Sequence, residues 1–458
     1  MINRRDILKG LTVTAGVMMS STIPTHAKQI QKQTKINKSD KTRVIVCGGG
    51  FGGLTSAKYL KYFNPNLEVI LIEKNSHFIS CPYSNVWLGE VDNVSLRDLS
   101  FDYLSASTKY GYEFVNETII DINKDKKQLT TNEETYEYDY LVLSTGIEYD
   151  YTKIFKDTKK AKKVYTLYPP AMKAGSEHLL LKNKIEEFKG GNFIINVPSG
   201  TYRCPPAPYE RACMIAYYLK NNNINGKVIL IDPREKPGAK AKGFLSSFNE
   251  LYKDYIQYMP LSEIKDINFE NKYLTVDTFD TMELDYISKK VYFEDANIIP
   301  NMKPSKLIEQ TGLELTTKGW AKLKEPTFES VTDNKIFVVG DSGGHPFPKS
   351  GHMANSCGYA AAKALAYKTL NKKYNYTEEL PSNICYSMVN GKPKEGLYVY
   401  HTVKYNKTKG LIVSSKATAV RDTDTGNSVK SWYDGIMSDM FLKCYNQNKK
   451  EIRCIQYL

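Results

Sequence analysis

The sequence predicts an α/β protein with two Rossmann-like domains, each built on a parallel, doubly wound sheet, and a smaller C-terminal α+β domain. Its 458 residues are enough for two or three hydrophobic cores, and 41% of them are apolar, as is typical of folded proteins. Runs rich in β-branched residues alternate with helical segments along most of the chain, which favours parallel sheets. From about residue 376 the sequence is rich in tyrosine and strand-like, which indicates an antiparallel part.

The N-terminus has the pattern of an export signal. Arg4 and Arg5 precede an apolar stretch, and the letters THA at 25–27 are typical of a cleavage site, so we predict a twin-arginine signal peptide over residues 1–27. The apolar stretch is too short and too rich in serine, threonine and glycine to cross ~30 Å of hydrocarbon. Residues 28–41 are predicted to be a flexible leader. We therefore expect export to the periplasm in the folded state, without stable membrane insertion.

The formal net charge of +13 has two explanations. Lysine and asparagine are abundant along the whole chain, so a general bias in composition is one, and an acidic protein partner is the other. The basic residues form no stripe and carry no recognised binding motif, so we predict no nucleic-acid partner.

The first strand–turn–helix unit carries a dinucleotide-binding pattern. The run "RVIVC" is followed by Gly48-x-Gly50-x-x-Gly53 and then by a helical segment. Glycines at these positions allow a tight turn, close approach of a pyrophosphate and packing of the helix on the strand, and the helix N-terminus attracts phosphates. Glu73 ends the next strand, 25 residues after Gly48, and is placed to bind a ribose hydroxyl.

Two later motifs resemble those of the two-dinucleotide flavoproteins, which have the glutathione-reductase-like fold. "LSTG" ends at Gly146 and "VVGD" ends at Asp341. The resemblance implies that the dinucleotide is FAD and that Asp341 contacts its ribityl and phosphate part. The predicted divisions after the leader are an FAD-binding domain in two parts (42–160 and 301–375), a second Rossmann-like domain (161–300), a C-terminal domain (376–442) and a C-terminal extension (443–458). A lysine-rich break at 153–163 marks the first boundary.

The second α/β unit lacks a phosphate-binding loop. Its turn, "VPSGTYRCPPAPYE", holds one glycine, Gly200, and three prolines, and an amphipathic helix is predicted to follow. Prolines remove backbone N–H donors and stiffen the turn, so the loop cannot wrap a pyrophosphate in the usual way. We therefore expect this domain to bind no NAD, and another reductant must reduce the flavin.

Five segments occur in the order found in the flavoprotein subunit of flavocytochrome c sulfide dehydrogenase, which the chain resembles over about residues 42–442. They are "CPYSNVWLGE" (81–90), "YRCPPAPYERA" (202–212), "GDSGGHPFPKSGHMANS" (340–356), "NICYSMV" (383–389) and "SWYDGIMSD" (431–439). The segments around the second and fourth of these are far more specific than a glycine motif.

The resemblance implies roles for three cysteines. Cys81 matches the cysteine that bonds the 8α-methyl group of FAD and makes the flavin covalent. Cys204 and Cys385 match a redox-active disulfide beside the flavin, a pairing that the sequence alone cannot give because 181 residues separate them. Three further cysteines are interpreted as small buried side chains, and no function is assigned to the two in the extension; these are Cys47, Cys213, Cys357, Cys444 and Cys454.

Four other residues gain implied roles from the same resemblance. Glu210 matches an acidic residue near the disulfide, and its alternative role is a favourable charge at a helix N-terminus. Trp432 matches an aromatic residue close to the flavin, and simple packing is its alternative role. Lys349 and Ser350 precede a helix whose N-terminus is expected to face the pyrimidine edge of the flavin, where positive potential favours the anionic reduced form.

The implied activity is oxidation of sulfide to sulfur or polysulfide, with electrons passing through FAD to a cytochrome c subunit at an interface with the C-terminal domain. No C-x-x-C-H occurs, so haem c is expected only on that partner, and no metal-ligand spacing is present. Which cysteine sulfide attacks stays open.

Two other functions remain as alternatives. A sulfide:quinone oxidoreductase has the same fold and similar cysteines, but usually carries one more cysteine before the "CPP" region and an amphipathic C-terminal membrane segment. Here Cys81 is the only cysteine between Cys47 and Cys204. The other alternative is a non-enzymatic flavin-binding assembly factor, against which the retention of both Cys204 and Cys385 argues.

Overall fold

The computed structural model describes residues 34–36, 40–442, 444–445 and 451–452, the short outer segments as backbone only. The predicted signal peptide, most of the leader and Cys454 lie outside the described residues, as does the side chain of Cys444. The predicted fold class is confirmed, since two parallel sheets and a C-terminal antiparallel sheet are present.

The first part of the chain forms the beginning of the FAD-type domain. Its elements are β1 (Thr34–Ile36), β2 (Arg43–Cys47), α1 (Phe51–Phe63), β3 (Glu68–Ile72), β4 (His77–Ile79), α2 (Ser84–Leu88), a 3₁₀ turn (Leu96–Leu99), β5 (Ser100–Asp102), α3 (Tyr103–Tyr110), β6 (Glu113–Val115), β7 (Ile119–Asn123), β8 (Gln128–Thr131), β9 (Glu134–Glu137), β10 (Tyr140–Leu143) and β11 (Ile147–Asp150).

The second Rossmann-like domain follows. It contains α4 (Thr158–Leu167), α5 (Ser176–Glu187), β12 (Gly191–Asn196), α6 (Ala207–Asn221), β13 (Gly226–Ile231), α7 (Ala241–Glu250), β14 (Ile256–Met259), β15 (Ser262–Asn268), β16 (Tyr273–Asp280), β17 (Asp285–Tyr292) and β18 (Asp295–Asn297).

The chain then returns to the first domain and ends in the C-terminal domain. The elements are β19 (Asn301–Pro304), α8 (Lys306–Gln310), β20 (Leu323–Lys324), β21 (Glu329–Ser330), β22 (Ile336–Val338), a 3₁₀ turn (Gly340–Ser342), α9 (Gly351–Thr369), β23 (Asn383–Gly391), β24 (Lys394–Asn406), β25 (Gly410–Ala417), α10 (Thr423–Phe441), β26 (Cys444–Tyr445) and β27 (Glu451–Ile452).

The central sheet of the first domain has the order β20-β21-β22-β10-β2-β3-β6, and its strands from β22 to β6 run parallel. Successive side chains of β2 point to opposite faces. Val44 and Val46 pack with α1 and α9, whereas Ile45 and Cys47 pack with residues of β7, β8 and β9. Burial on both faces explains why this strand is apolar throughout rather than alternating.

The second domain has a parallel four-stranded sheet in the order β14-β13-β12-β18. Ile194 and Ile229 pack towards the antiparallel β15–β17 sheet, and Phe193 and Val228 belong to the main core with α6. The expectation that α6 is amphipathic is wrong. All side chains from Ala207 to Leu219 are buried, because the helix lies between its own sheet, α2 and β23.

The lysine-rich segment at 153–163, which was predicted to mark a domain boundary, contains the start of α4. The Asp157 side chain caps this helix by accepting a hydrogen bond from the backbone N–H of Lys159 at 2.8 Å. Lysine is a good helix former, and of the side chains in α4 only Val164 is buried. Of the "LSTG" motif, only Leu143 belongs to strand β10, and Gly146 lies in the following turn with a φ of +69°.

The C-terminal domain places an antiparallel β23-β24-β25 sheet against the rest of the protein. Helix α10 packs on β23 and β24, and β23 contacts α6 and α9. This arrangement brings β23 beside the turn that precedes α6, and that contact forms the site described next.

Candidate active site

One cavity collects six of the predicted site residues from five parts of the chain. It has about 700 Å³ of empty space between the two Rossmann-like domains and the C-terminal domain. The predicted residues on its wall are Cys81, Cys204, Glu210, Ser350, Cys385 and Trp432. The wall is completed by residues that include Asn85, His178, Arg203 and Arg211, none of which was predicted from the sequence.

Cys204 lies in the turn between β12 and α6 and has a φ of +53°, in the left-handed region. Few residues other than glycine adopt this conformation, so the turn holds the cysteine under strain. Two backbone hydrogen bonds fix it: its N–H donates to the carbonyl of Lys349 at 2.6 Å, and its carbonyl accepts from the N–H of Ala207 at 2.8 Å. The turn therefore presents the Cys204 thiol towards the cavity.

Cys385 lies in β23 and is 6% exposed. Both cysteines are free thiols on the cavity wall, and Cys385 Sγ donates to the carbonyl of Tyr386 at 3.7 Å. Their proximity agrees with the implied pairing, while the disulfide itself stays a prediction. The neighbouring Cys204 thiol lowers the pKa of Cys385, with a further contribution from Lys240, and the Cys385 thiol raises that of Cys204.

Glu210 is buried in the first turn of α6 beside the cysteine pair. Its Oε1 accepts a hydrogen bond from the backbone N–H of Met388 at 3.0 Å, and its Oε2 accepts one from Asn85 Nδ2 at 3.1 Å. Burial raises the pKa of this carboxyl, and the charge of Lys240 opposes that rise. Glu210 therefore joins α6 to the strand that carries Cys385, and its position near the pair is as expected.

Cys81 follows β4 and contributes its thiol to another part of the cavity wall. Its Sγ donates to the carbonyl of Met172 at 3.4 Å, and the same carbonyl accepts from Arg203 Nη1 at 3.2 Å. Burial raises the pKa of Cys81, partly offset by the positive charge of Arg203. A cysteine and a guanidinium thus lie together in the place expected for the isoalloxazine end of a flavin.

The glycine turn is closed and tightly packed. A Cβ atom on Gly48, whose φ is +97°, would lie 2.6 Å from the carbonyl oxygen of Ser144, and one on Gly53 would lie 1.9 Å from that of Gly48. Gly50 faces open space, which leaves room for a phosphate at the start of α1. Glu73 Oε2 accepts from the backbone N–H of Gly49 at 2.8 Å, so the carboxylate also fixes the turn.

Asp341 lies where the cofactor is expected, and one of its carboxylate oxygens has no hydrogen-bond partner among the described residues. Its Oδ2 forms an ion pair with Arg203 Nε at 3.0 Å, whereas its buried Oδ1 has no hydrogen-bond partner among the described residues. A buried carboxylate oxygen without a partner is costly, so a hydroxyl donor from a bound molecule fits this position. The glycine turn and Asp341 together therefore fit FAD.

Lys349 and Ser350 have different roles from each other. Lys349 Nζ donates to the carbonyls of Asp341 at 2.7 Å and Gly343 at 3.1 Å, and burial lowers the pKa of Lys349 to about 8. Its side chain thus braces the Asp341 turn rather than the cavity wall. Ser350 caps α9 by accepting from the N–H of Met353 at 3.2 Å, and the first turn of that helix lies on the cavity wall, while its orientation towards a flavin stays a prediction.

Trp432 lies on α10 with its ring centroid 5.9 Å from that of Tyr386. Its Nε1 is buried and has no hydrogen-bond partner among the described residues.

Three cysteines away from the cavity wall are fully buried, as predicted; they are Cys47, Cys213 and Cys357.

Sequence reasoning missed the buried cations of the site. Arg211 is 2% exposed and donates only to neutral acceptors, which are Asn85 Oδ1, Asn297 Oδ1 and the carbonyls of Pro170 and Ala171. Lys240 is 3% exposed and donates to Ser387 and Leu397. Arg203 and Arg211 lie beside Cys204 and Glu210 in the sequence and could have been found there, but "GAKAKG" around Lys240 carries no such signal.

The described part of the chain has neither a membrane-spanning helix nor a metal site. No helix there is long and apolar enough to cross a membrane. The same residues contain no group of three or more side chains that could hold a metal ion.

Three family profiles match the chain. Residues 42–167 match pyridine nucleotide-disulphide oxidoreductase, residues 178–300 match the central part of the sulfide dehydrogenase [flavocytochrome c] flavoprotein chain, and residues 378–441 match the flavin-binding part of flavocytochrome c sulphide dehydrogenase.

Individual proteins give the same result. The chain is 23% identical over 423 residues to the mitochondrial sulfide:quinone oxidoreductase of Dictyostelium discoideum, covering 88% of this chain and 90% of the relative. It is 51% identical over 43 residues to the sulfide dehydrogenase [flavocytochrome c] flavoprotein chain of Chlorobaculum thiosulfatiphilum, 9% of this chain and 90% of that sequence. The sulfide:quinone oxidoreductase structure from Aquifex aeolicus superposes with a TM-score of 0.66 at 18% identity, covering 87% of this chain and 91% of that one, and shows the shared fold.

A glycine turn that fits FAD, together with one cysteine in the second Rossmann-like domain and another in the C-terminal domain on the same cavity wall, defines a flavoprotein of the disulphide oxidoreductase class. Within that class, the chain belongs to the family that comprises the flavoprotein chains of flavocytochrome c sulfide dehydrogenase and the sulfide:quinone oxidoreductases.

Proposed function

We propose that this protein is the flavoprotein subunit of a sulfide dehydrogenase, which oxidises sulfide to sulfur or polysulfide through a Cys204–Cys385 disulfide and delivers the electrons to a cytochrome c subunit. One observation carries the proposal. The thiols of Cys204 and Cys385 lie on the wall of one cavity, close enough to shift each other's pKa, and the same wall holds Cys81, although the three cysteines come from three domains.

The cavity favours a small anion. Arg211 and Lys240 are buried cations that donate only to neutral groups, and Glu210 is the one acid on the cavity wall among the described residues. The resulting positive potential attracts HS⁻ and stabilises a thiolate. Sulfide attack on the disulfide forms a persulfide on one cysteine and releases the other as a thiolate.

FAD bound in the first domain would accept the electron pair and pass electrons on one at a time. The residues that would hold it are the Gly48–Gly53 turn at its pyrophosphate, Asp341 at its ribityl part and Cys81 at its ring. We propose a covalent bond to Cys81, because that thiol lies on the cavity wall beside Arg203.

The electron acceptor distinguishes a flavocytochrome c sulfide dehydrogenase from a sulfide:quinone oxidoreductase. Relatives named as sulfide:quinone oxidoreductases match over most of the chain, which favours a quinone as the alternative acceptor. A cytochrome c acceptor is supported by the two flavocytochrome c profiles and by the sequence, in which Cys81 is the only cysteine between Cys47 and Cys204. Export through the twin-arginine signal would place the protein in the periplasm, where we propose that it meets its cytochrome.

The first test is sulfide-dependent reduction of the two acceptors. Sulfide is added anaerobically to the purified flavin-loaded protein, which is then mixed with cytochrome c or with a water-soluble quinone. We expect sulfide to bleach the flavin absorbance and electrons to reach cytochrome c in preference to quinone. Bleaching followed by transfer to quinone alone would assign the alternative acceptor, and an unchanged flavin spectrum would favour a non-enzymatic flavin-binding factor.

The cysteine pair is tested by substitution. Cys204→Ser and Cys385→Ser each remove the electrophilic sulfur pair and should lower sulfide-dependent bleaching by at least roughly a hundredfold, while dithionite still bleaches the flavin. Cys213→Ser is the matched control, since Cys213 is buried in α6 away from the cavity wall. Near-normal sulfide oxidation by either pair variant would contradict the proposed mechanism.

A further inference from the structure

Lys240 is a buried lysine at the cysteine pair. It is 3% exposed and has a φ of +55° at the residue before α7. Its Nζ donates to Ser387 Oγ at 2.8 Å and to the carbonyl of Leu397 at 3.3 Å. Ser387 and Leu397 are partners across β23 and β24, so the ammonium group is held on the face of this hairpin.

That face is the one that carries Cys385. Residues two apart on a strand point to the same side, so the Cys385 and Ser387 side chains share the face that Lys240 meets. Both hydrogen-bond acceptors of Lys240 are neutral, and its charge is therefore available to a neighbouring anion. In the reduced pair, the pKa of Cys385 is lowered first by the neighbouring Cys204 thiol and then by Lys240.

Other charged or titratable groups face the pair from each element around it. They are Cys204 from the turn before α6, Glu210 from α6, His401 from β24 and His352 from α9, whose Nδ1 lies 3.0 Å from the backbone nitrogen and from the carbonyl oxygen of Ile384. Burial and Glu210 oppose a thiolate on Cys385, yet Cys204 and Lys240 outweigh them and lower the pKa of that cysteine.

The two cysteines also differ in access from the cavity. Cys204 is partly exposed on its turn, whereas Cys385 is 6% exposed within a strand. A nucleophile that enters the cavity therefore reaches Cys204 more easily, and the stabilised leaving group lies behind it.

We propose that Lys240 makes Cys385 the leaving group of the disulfide, so that sulfide adds to Cys204. This inference rests on the proposed function. It assigns Lys240 as the positioning residue that determines which cysteine sulfide attacks. In this step HS⁻ forms a sulfur–sulfur bond to Cys204 Sγ and the Cys204–Cys385 bond breaks. The electron pair of the broken bond goes to Cys385 Sγ, giving a thiolate beside Lys240. The sulfide sulfur is oxidised as the disulfide is reduced, and its proton stays on the new persulfide.

The first measurement needs no sulfide. The flavin-loaded protein is reduced, freed of reductant and alkylated with iodoacetamide across pH 5–10, and the two cysteine peptides are quantified by mass spectrometry. Cys385 should be alkylated with a lower pH midpoint than Cys204. Lys240→Met should raise the Cys385 midpoint and slow its alkylation at pH 7 roughly tenfold or more, which corresponds to one pKa unit.

Two further variants separate charge from packing. Lys240→Arg keeps the charge and should retain most of the wild-type midpoint, and Ser387→Ala, which removes one anchor of the ammonium group, should shift it in the same direction as Lys240→Met but less. Lys363→Met is the control. Lys363 is also largely buried, but it lies in α9 and forms an ion pair with Glu379. Equal midpoints for Cys385 in wild type and in both Lys240→Met and Ser387→Ala would overturn the inference.

The second measurement locates the sulfur. The oxidised protein is mixed anaerobically with one equivalent of sulfide, or separately with 2-mercaptoethanol, and alkylated at once. We expect the persulfide, or the mixed disulfide, on the Cys204 peptide and an alkylated Cys385. A sulfur adduct on Cys385 would refute the direction of attack. An adduct with 2-mercaptoethanol on Cys204 but no reaction with sulfide would retain the role of Lys240 and reject the proposed function.

Discussion

Cys204 combines backbone strain with a thiol on the cavity wall in one residue. Its positive φ is maintained by hydrogen bonds to Lys349 and Ala207 on either side of the turn, so the thiol position depends on both domains. Proline residues after it stiffen the same turn. The loop that would cradle a pyrophosphate in a nucleotide-binding domain here instead holds a sulfur atom in a defined position.

Cys81 can be tested by the fate of the flavin. We predict that acid precipitation leaves the yellow colour in the pellet of the wild-type protein and releases it to the supernatant from Cys81→Ser. The reason is the position of the thiol on the cavity wall beside Arg203, where the ring end of FAD would lie.

The measurement is the flavin absorbance of pellet and supernatant after precipitation. Cys357→Ser is a suitable control, because Cys357 is fully buried in α9. Flavin in the wild-type supernatant would contradict covalent attachment, although it would leave binding of FAD itself unaffected.

Residue-scale predictions from the sequence succeeded where the signal is local. The Gly48–Gly53 turn was predictable because glycine at a positive φ and at a close backbone contact is required by the turn itself. The proximity of Cys204 and Cys385 was not predictable from local sequence, because it depends on the packing of β23 against α6. Only the family resemblance pointed to it. Lys240 had no signal at all, because its role comes from burial in a chain where lysine is common.

At the scale of elements, α1 and α9 cross at glycines. A Cβ atom on Gly358 would lie 2.5 Å from the carbonyl oxygen of Gly52, a backbone atom that cannot move aside as a side chain could. The N-terminus of α1 begins the nucleotide turn and that of α9 begins at the cavity wall, so this crossing sets the distance between the two halves of the flavin site.

We predict that Gly358→Ala destabilises the protein by ~1–3 kcal/mol, the usual cost of overpacking, and lowers its flavin content. Thermal unfolding followed by circular dichroism measures the first effect and absorbance the second. Gly435→Ala is the matched control: Gly435 is also in a helix, but no atom lies within 4 Å of an added Cβ, so this change should be neutral or stabilise by up to ~1 kcal/mol. Equal melting temperatures for the two variants would show that the crossing tolerates a methyl group.

The second Rossmann-like domain has the parallel strands of a nucleotide-binding domain, but the acid at the position where a ribose would bind is already hydrogen-bonded within the protein. Asp232 follows β13 and is fully buried. It accepts hydrogen bonds from Tyr209 Oη at 2.6 Å and Tyr258 Oη at 3.0 Å, and pairs with Arg234 Nη1 at 3.2 Å. An acid with its acceptor sites already occupied is poorly placed to bind a ribose.

NADH and NADPH are therefore expected not to reduce the flavin. Anaerobic addition of either nucleotide should leave the flavin absorbance unchanged over minutes, while dithionite bleaches it in the same cuvette. Rapid bleaching by NADH would mean that the proline-containing turn and Asp232 rearrange to accept a nucleotide.

Local propensity accounts for α4, whereas tertiary packing determines the exposure of α6. The lysine-rich segment at 153–163, interpreted as a domain boundary, contains the start of α4, whose residues are good helix formers with exposed side chains. Helix α6 was expected to be amphipathic, but the C-terminal domain covers its outer side. The exposure of α6 therefore depends on its tertiary surroundings rather than on its local pattern.

At the scale of the whole molecule, the active-site cavity lies where three domains meet, and its wall carries buried groups whose titration links stability to pH. His178 is one of them: it is 2% exposed, and its Nδ1 lies 3.2 Å from the carbonyl oxygen of Lys173. Burial, reinforced by the charge of Arg211, lowers the pKa of His178 to about 3. The unfolded chain has the ordinary histidine pKa of about 6.5.

The sign of the effect follows from these two values. Above pH 6.5 neither state binds the proton, so His178 contributes no pH dependence there. Between pH 6.5 and about 3 the unfolded state binds one more proton than the folded state, and stability therefore falls as the pH falls, by up to ~1.4 kcal/mol per pH unit. We predict that His178→Gln, which keeps a hydrogen-bond donor for Lys173, reduces this slope. Guanidinium unfolding midpoints at pH 7.5, 6.5, 5.5 and 4.5 give the comparison, with His77→Gln as control because His77 is exposed. The unfolding midpoint of His178→Gln, relative to that of the wild type, should rise with each step below pH 6.5. A constant difference between the two midpoints across the four pH values would show that His178 is not the titrating group.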